Sequence, residues 1–135
     1  DELIAAIEKD IPNHLYLDHS QASGMMEAPQ VQRLVDAIAN HPNSDLTIGT
    51  SPVSSKYICH TKGVVSLSAP VWCWEGSVNF SASGWKQVNT ALVFSSDAWA
   101  ERFIDQFKAL RDFAWNNEQD FQVMPNPPDG VAIQQ

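Results

Sequence analysis

The runs Lys56–Leu67, KYICHTKGVVSL, and Val71–Phe80, VWCWEGSVNF, decide how the chain reads. Both are rich in β-branched and aromatic residues, and Ser68-Ala69-Pro70 between them has turn composition. Together they predict an antiparallel hairpin. A third strand is expected over Gln87–Phe94, QVNTALVF. Ser96-Asp97 then has the chemistry of an N-cap for a helix over about Ala98–Trp115. Along that helix Trp99, Phe103, Ile104, Phe107, Leu110 and Trp115 recur on one apolar face.

Working outward, the N-terminal stretch from Asp1 to about Lys9 places Leu3, Ile4, Ile7 and Ile11 at helical spacing, with Pro12-Asn13 as a stop. His14–Asp18 (HLYLD) reads as a short strand with Leu15 and Leu17 on one face, and HSQASG after it as a loop. Val31, Leu34, Val35 and Ile38 predict a helix over Pro29–Ala39, and DLTIG predicts a strand over Asp45–Gly49. Helices that alternate with strands and then give way to a run of strands imply an α/β fold, a mixed β-sheet flanked by helices. One domain is expected over residues 1–121, with 122–135 a Pro-rich tail or linker stub.

At 135 residues the chain has the size of one domain. Its composition, 44% hydrophobic and 18% charged, is that of an ordinary globular protein. No apolar run reaches the ~18–20 residues of a membrane span. Sixteen acids against eight bases give a formal net charge of -8, which argues against nucleic-acid affinity founded on a broad basic surface. A small local anion site is compatible with that charge. Cys59 and Cys73 lack zinc-ligand spacing and are too few for a disulfide framework. Two free buried thiols are expected, with a single disulfide as the alternative. His14, His19 and His41 form no ligand motif; His19, in the strand-end loop, is a candidate rim contact. The compartment stays open, and a start at Asp1-Glu2-Leu3 without Met points to an excised domain, a processed chain or one half of a longer protein.

The chemistry concentrates in the hairpin. His60 and Lys62 are two apart and share a face. A register that sets Lys62 opposite Ser77 also sets His60 opposite Asn79, with directly opposed side-chain bases ~4.5–5.5 Å apart. An imidazole, an ammonium, a hydroxyl and a carboxamide gathered in this way can hold an anionic oxygen centre and attack it. Glu75 falls on the face of Ser77 and Asn79, within reach of Lys62 or Lys56. Trp72 and Trp74 fall on the other face, in packing. Trp85 is the one tryptophan placed to line a substrate channel. Neither His-x-Lys nor Gly-Ser-x-Asn alone rises above ordinary strand sequence; the pair does.

HTK, then GSVNFSASGW, then KQVNTALVF and an amphipathic helix together resemble the second half of a phospholipase D superfamily domain. That family's signature is His-x-Lys-x4-Asp followed by Gly-Ser-x-Asn-Phe-Ser/Thr. The likeness extends over about residues 13–115 and is nearer the bacterial nuclease-like branch than the large lipases. It departs in two places. Leu67 stands where the family has Asp, and the strand that usually opens such domains is missing. The resemblance implies metal-independent phosphodiester cleavage without a cofactor, through a phosphohistidine on His60. Lys62 and Asn79 would bind the non-bridging oxygens, and Ser77, Asn89 and Glu75 would support them. It implies a nucleic-acid substrate ahead of a phospholipid. Because the chain has one His-x-Lys, it also implies a homodimer or a second phospholipase D-like half. The alternative is a weak or inactive module of the same fold, used for assembly or to bind an anionic partner.

Overall fold

The computed structural model describes residues 1–19, 29–51, 60–81, 83–115 and 121–125. The chain divides into two compact units, residues 1–59 with 109–135 and residues 60–108.

In the first unit, α1 (Glu2–Glu8) leads to β1 (His14–Asp18), and α2 (Pro29–Ala39) leads to β2 (Asp45–Gly49). β1 and β2 run parallel, from His14 beside Asp45 to Asp18 beside Gly49. The Val31, Leu34, Val35, Ile38 stripe does what its spacing predicts. Val31 and Ile38 are buried with Ile7, Leu46 and Ile48 in one core, and Leu34 and Val35 pack against it. Each such side chain, wholly removed from water, contributes ~1.5–3 kcal/mol. α1 ends earlier than Ile11 because Asp10 turns the chain out of the helix with φ 57°, which leaves Ile11 exposed. The last strand, β6 (Phe121–Val123), pairs antiparallel with β2, with Leu46 opposite Val123 and Thr47 opposite Gln122. The expected tail at residues 122–135 therefore begins too early, since Gln122 and Val123 are sheet residues. β2 is buried along its whole length, so the hydroxyl of Thr47 needs a partner. Gln122 Nε2 supplies one at 3.2 Å and donates also to the Arg111 carbonyl at 2.9 Å.

The second unit is an antiparallel meander of β3 (Gly63–Ser66), β4 (Trp72–Gly76) and β5 (Ala91–Phe94), followed by the N-terminal part of α3 (Asp97–Trp115). The Ser96 cap is as expected, its Oγ accepting the Trp99 N–H at 3.2 Å. The α/β class holds, but the single mixed sheet is replaced by two three-stranded sheets, of which the first is mixed and the second antiparallel. β4 and β5 are also shorter than their composition predicts, because the polar residues between Ser77 and Thr90 hydrogen-bond among themselves.

One face of the meander meets α3. Phe94 stands edge-on to Trp99 with centroids 5.0 Å apart, and Trp99 stacks on Phe103 at 5.2 Å. Gly63 lies under Phe103 so closely that a Cβ there would sit 2.5 Å from the ring. Cys73, on this same face, is wholly buried with a free thiol; Cys59 lies outside the described residues. The opposite face, with Val64, Trp72 and Val93, is exposed. Among the described residues, no helix is long and apolar enough to cross a membrane.

Candidate functional site

All the candidate site residues belong to the second unit, gathered where β3 begins and β4 ends. The Gly76 N–H donates to the Lys62 carbonyl at 3.2 Å, so the HTK segment lies directly beside GSVN. The register differs from expectation by one residue. Gly63 opposes Glu75 and Ser66 opposes Trp72, which sets Lys62 opposite Gly76 rather than Ser77. The cause is the connection. The expected register needs Leu67 within the strand, but Leu67 leaves it, 63% exposed, and lengthens the loop to Leu67–Val71.

A one-residue shift exchanges faces. The Ser77 N–H donates to the Thr90 carbonyl at 2.9 Å, which carries the β4–β5 ladder one step past Gly76. Ser77 therefore lies on the face of Glu75, and Lys62 on the face of Trp74. Trp72 and Trp74 do share a face, as expected, but it is the face of Lys62, and Trp72 is exposed rather than packed. His60 and Asn79 lie beyond the paired residues of both strands.

The hydrogen bonds sort these groups into free and committed. Lys62 Nζ donates to the His60 carbonyl at 2.7 Å, not to Glu75. Ser77 Oγ donates to Asn89 Oδ1 at 2.9 Å and accepts the Thr90 N–H at 3.1 Å. Its one hydroxyl hydrogen is thus engaged, and Ser77 clamps the loop instead of offering a donor to an anion. Asn89 precedes β5 and is no ladder residue. Its Nδ2 donates to the Gly84 carbonyl at 2.9 Å and the Gln87 carbonyl at 3.2 Å, which ties both ends of the loop to Ser77. Gly84 is buried against the Asn79 carbonyl, where any Cβ would collide with backbone. Asn79 is held from behind by that contact, and its own side chain is exposed. Neither the His60 ring nor the Asn79 carboxamide has a partner among the described residues, so both are available to a ligand.

A cavity of about 400 Å³ is lined by Glu75, Gly76, Ser77, Thr90, Ala91 and Leu92. Its one charged lining group is the Glu75 carboxylate, so an anionic oxygen is not what this cavity accepts. Glu75 opposes Gly63 and Leu92 and stands on the face away from Lys62. Lys56, its other expected partner, lies outside the described residues.

Charge is divided between the units. Residues 1–59 with 109–135 hold twelve acids and four bases; residues 60–108 hold four of each. The whole formal charge of -8 belongs to the first unit. Residues 60–96, the meander and its loops, carry three charges: Lys62, Lys86 and Glu75.

One polar cluster went unread in the sequence. In the first unit, His14 Nδ1 contacts the buried Asp45 Oδ2, and Asp45 Oδ1 has no partner. The available signal was that each opens a strand expected to pair in parallel. His41 Nδ1 meets Asp10 Oδ1 at 3.0 Å, and His19 is half-buried. Among the described residues no cluster of side chains has the make-up of a metal site. No family model matches the chain, and neither the curated proteins nor the solved structures give a match.

Proposed function

We propose that this chain is a nuclease-like phosphodiesterase of the phospholipase D type, acting through a phosphohistidine. The supporting observation is the Gly76-to-Lys62 backbone bond, which brings the two halves of the signature together at one end of a hairpin. In this reading His60 attacks phosphorus and the leaving oxygen departs, which divides one hard displacement into two easier ones. Lys62, with two donors left after its bond to the His60 carbonyl, and Asn79 stabilise the charge that grows on the non-bridging oxygens. Asn89 and Ser77 position the loop that carries Asn79.

One imidazole cannot be both nucleophile and opposing acid in an in-line displacement. The competent form is therefore a two-fold homodimer, or a pair with a second phospholipase D-like half. Neither cofactor nor metal takes part. His60→Ala should lower turnover of a single-stranded oligonucleotide by at least ~10³-fold with the far-UV circular dichroism unchanged, and EDTA should leave the wild-type rate as it is. Full turnover by His60→Ala, or loss on chelation, overturns the reading.

A module of this type that binds without cutting is the second reading, and two observations favour it. Leu67 replaces the signature acid and lies exposed in the loop. The register puts Lys62 and Ser77 on opposite faces. In that case the wild-type chain is as inert as His60→Ala.

A further inference from the structure

The uncovered face of the meander carries a run of aromatic rings. Trp74 and Phe80 have centroids 5.4 Å apart at 52°, and Phe80 and Trp85 6.4 Å apart at 75°. Phe80 and Trp85 are 66% and 67% exposed. Val64, Trp72 and Val93 extend the same face across all three strands. At ~150–250 Å² per aromatic side chain, the open parts of Trp72, Phe80 and Trp85 amount to roughly 400 Å². That falls within the ~300–600 Å² of the largest apolar patch on a typical monomer, which is often functional.

The charges around these rings point to an occupant. Strand alternation puts Lys62 on the Trp74 face, and Lys86 directly follows Trp85. The remaining charge of residues 60–96, Glu75, lies on the other face. The face is therefore aromatic, with Lys62 on it by strand alternation, Lys86 next to Trp85 in sequence and no carboxylate from residues 60–96, inside a unit that carries none of the net acidity. Exposed rings supply stacking for bases, and scattered ammonium groups supply contacts for phosphates.

We infer that the Trp74–Phe80–Trp85 face binds single-stranded nucleic acid by stacking unpaired bases on its rings, with Lys62 and Lys86 as backbone contacts. This rests on the nuclease-like reading for its substrate class, and it assigns base stacking to rings outside the reacting set, with Lys62 shared between the two. Stacking dominates over charge, so two phosphate contacts give a shallow salt dependence, a log–log slope of about -1.4 for a single strand.

The test is fluorescence anisotropy of a labelled oligo-dT in the His60→Ala chain, where binding is read without cleavage. Trp85→Ala and Phe80→Ala should each weaken binding ~5- to 100-fold. Trp85→Phe should restore most of it, and a duplex of equal length should bind at least ~10-fold more weakly. Affinity unchanged in Trp85→Ala overturns the inference, as does equal affinity for duplex. Absence of oligonucleotide binding, with self-association in sedimentation velocity that Trp85→Ala abolishes, also overturns it and assigns the face to a second copy of the chain. Ring-dependent binding beside an inert wild-type chain would sink the catalytic proposal and leave this one standing. Cleavage with a KM indifferent to Trp85→Ala would do the reverse.

Discussion

Ile7, Ile38, Leu46 and Ile48 of the first unit are wholly buried, whereas in the second unit Trp85, Leu92 and Val93 are two-thirds or more exposed and Cys73 is, among the described residues, the one hydrophobic side chain wholly buried. The two units also treat polar groups differently. In the first, Asp45 and Thr47 are buried on β2 and take partners from β1 and β6. In the second, Ser77, Asn89 and Ser81 are satisfied within their own loop at the surface. Burial on every side of β2 leaves little for a ligand to touch. A half-covered meander with a self-supported polar loop leaves both rings and unpaired donors in the open. Packing is concentrated in one unit, and exposed rings and polar groups in the other.

The sharpest way to break that contrast is a matched pair of truncations. Ile48→Ala should cost ~2–5 kcal/mol in chemical denaturation, because it empties a fully enclosed site. Leu92→Ala, at a position 67% exposed, should stay within ~0.5 kcal/mol. Equal losses would show that the second unit depends on its outward residues for stability.

A smaller effect is expected where the first unit buries charge. His14→Ala leaves the Asp45 carboxylate, already short of one partner, with neither oxygen paired. The loss should be ~1–3 kcal/mol by urea titration at neutral pH. No loss would mean that water replaces the imidazole and that Asp45 is less enclosed than its burial indicates.

A local loss, at the low end of that range, belongs to the second unit. Ser96→Ala removes the acceptor for the Trp99 N–H and should lower the midpoint of thermal unfolding by the equivalent of ~1 kcal/mol. Ser96→Asp should preserve it. A loss above ~2 kcal/mol would give the cap a tertiary role in addition to its local one.

What was legible in the sequence is what local spacing determines. The Val31, Leu34, Val35, Ile38 stripe, the strands His14–Asp18 and Asp45–Gly49, and the Ser96 cap all appear where their patterns put them. Pairing is another matter. Whether Lys62 meets Ser77 or Gly76 depends on where Leu67 leaves the strand, and a β-rich run does not mark that point. Phe121–Val123 is too short to show a period, and its place beside β2 comes from contacts some 75 residues apart in sequence. The division into two sheets is equally non-local. The candidate residues were readable as a set; the faces they occupy were not, because one residue of register inverts them.

The segregation of charge has a colloidal consequence. The twelve acids of the first unit supply the net charge by which copies of the chain repel one another, since the second unit, with its aromatic face, contributes none. That protection lapses near the isoelectric point of about 4.7, where the acids lose their excess over the bases. Acidification towards that value is then the condition in which light scattering should first detect association of the chain.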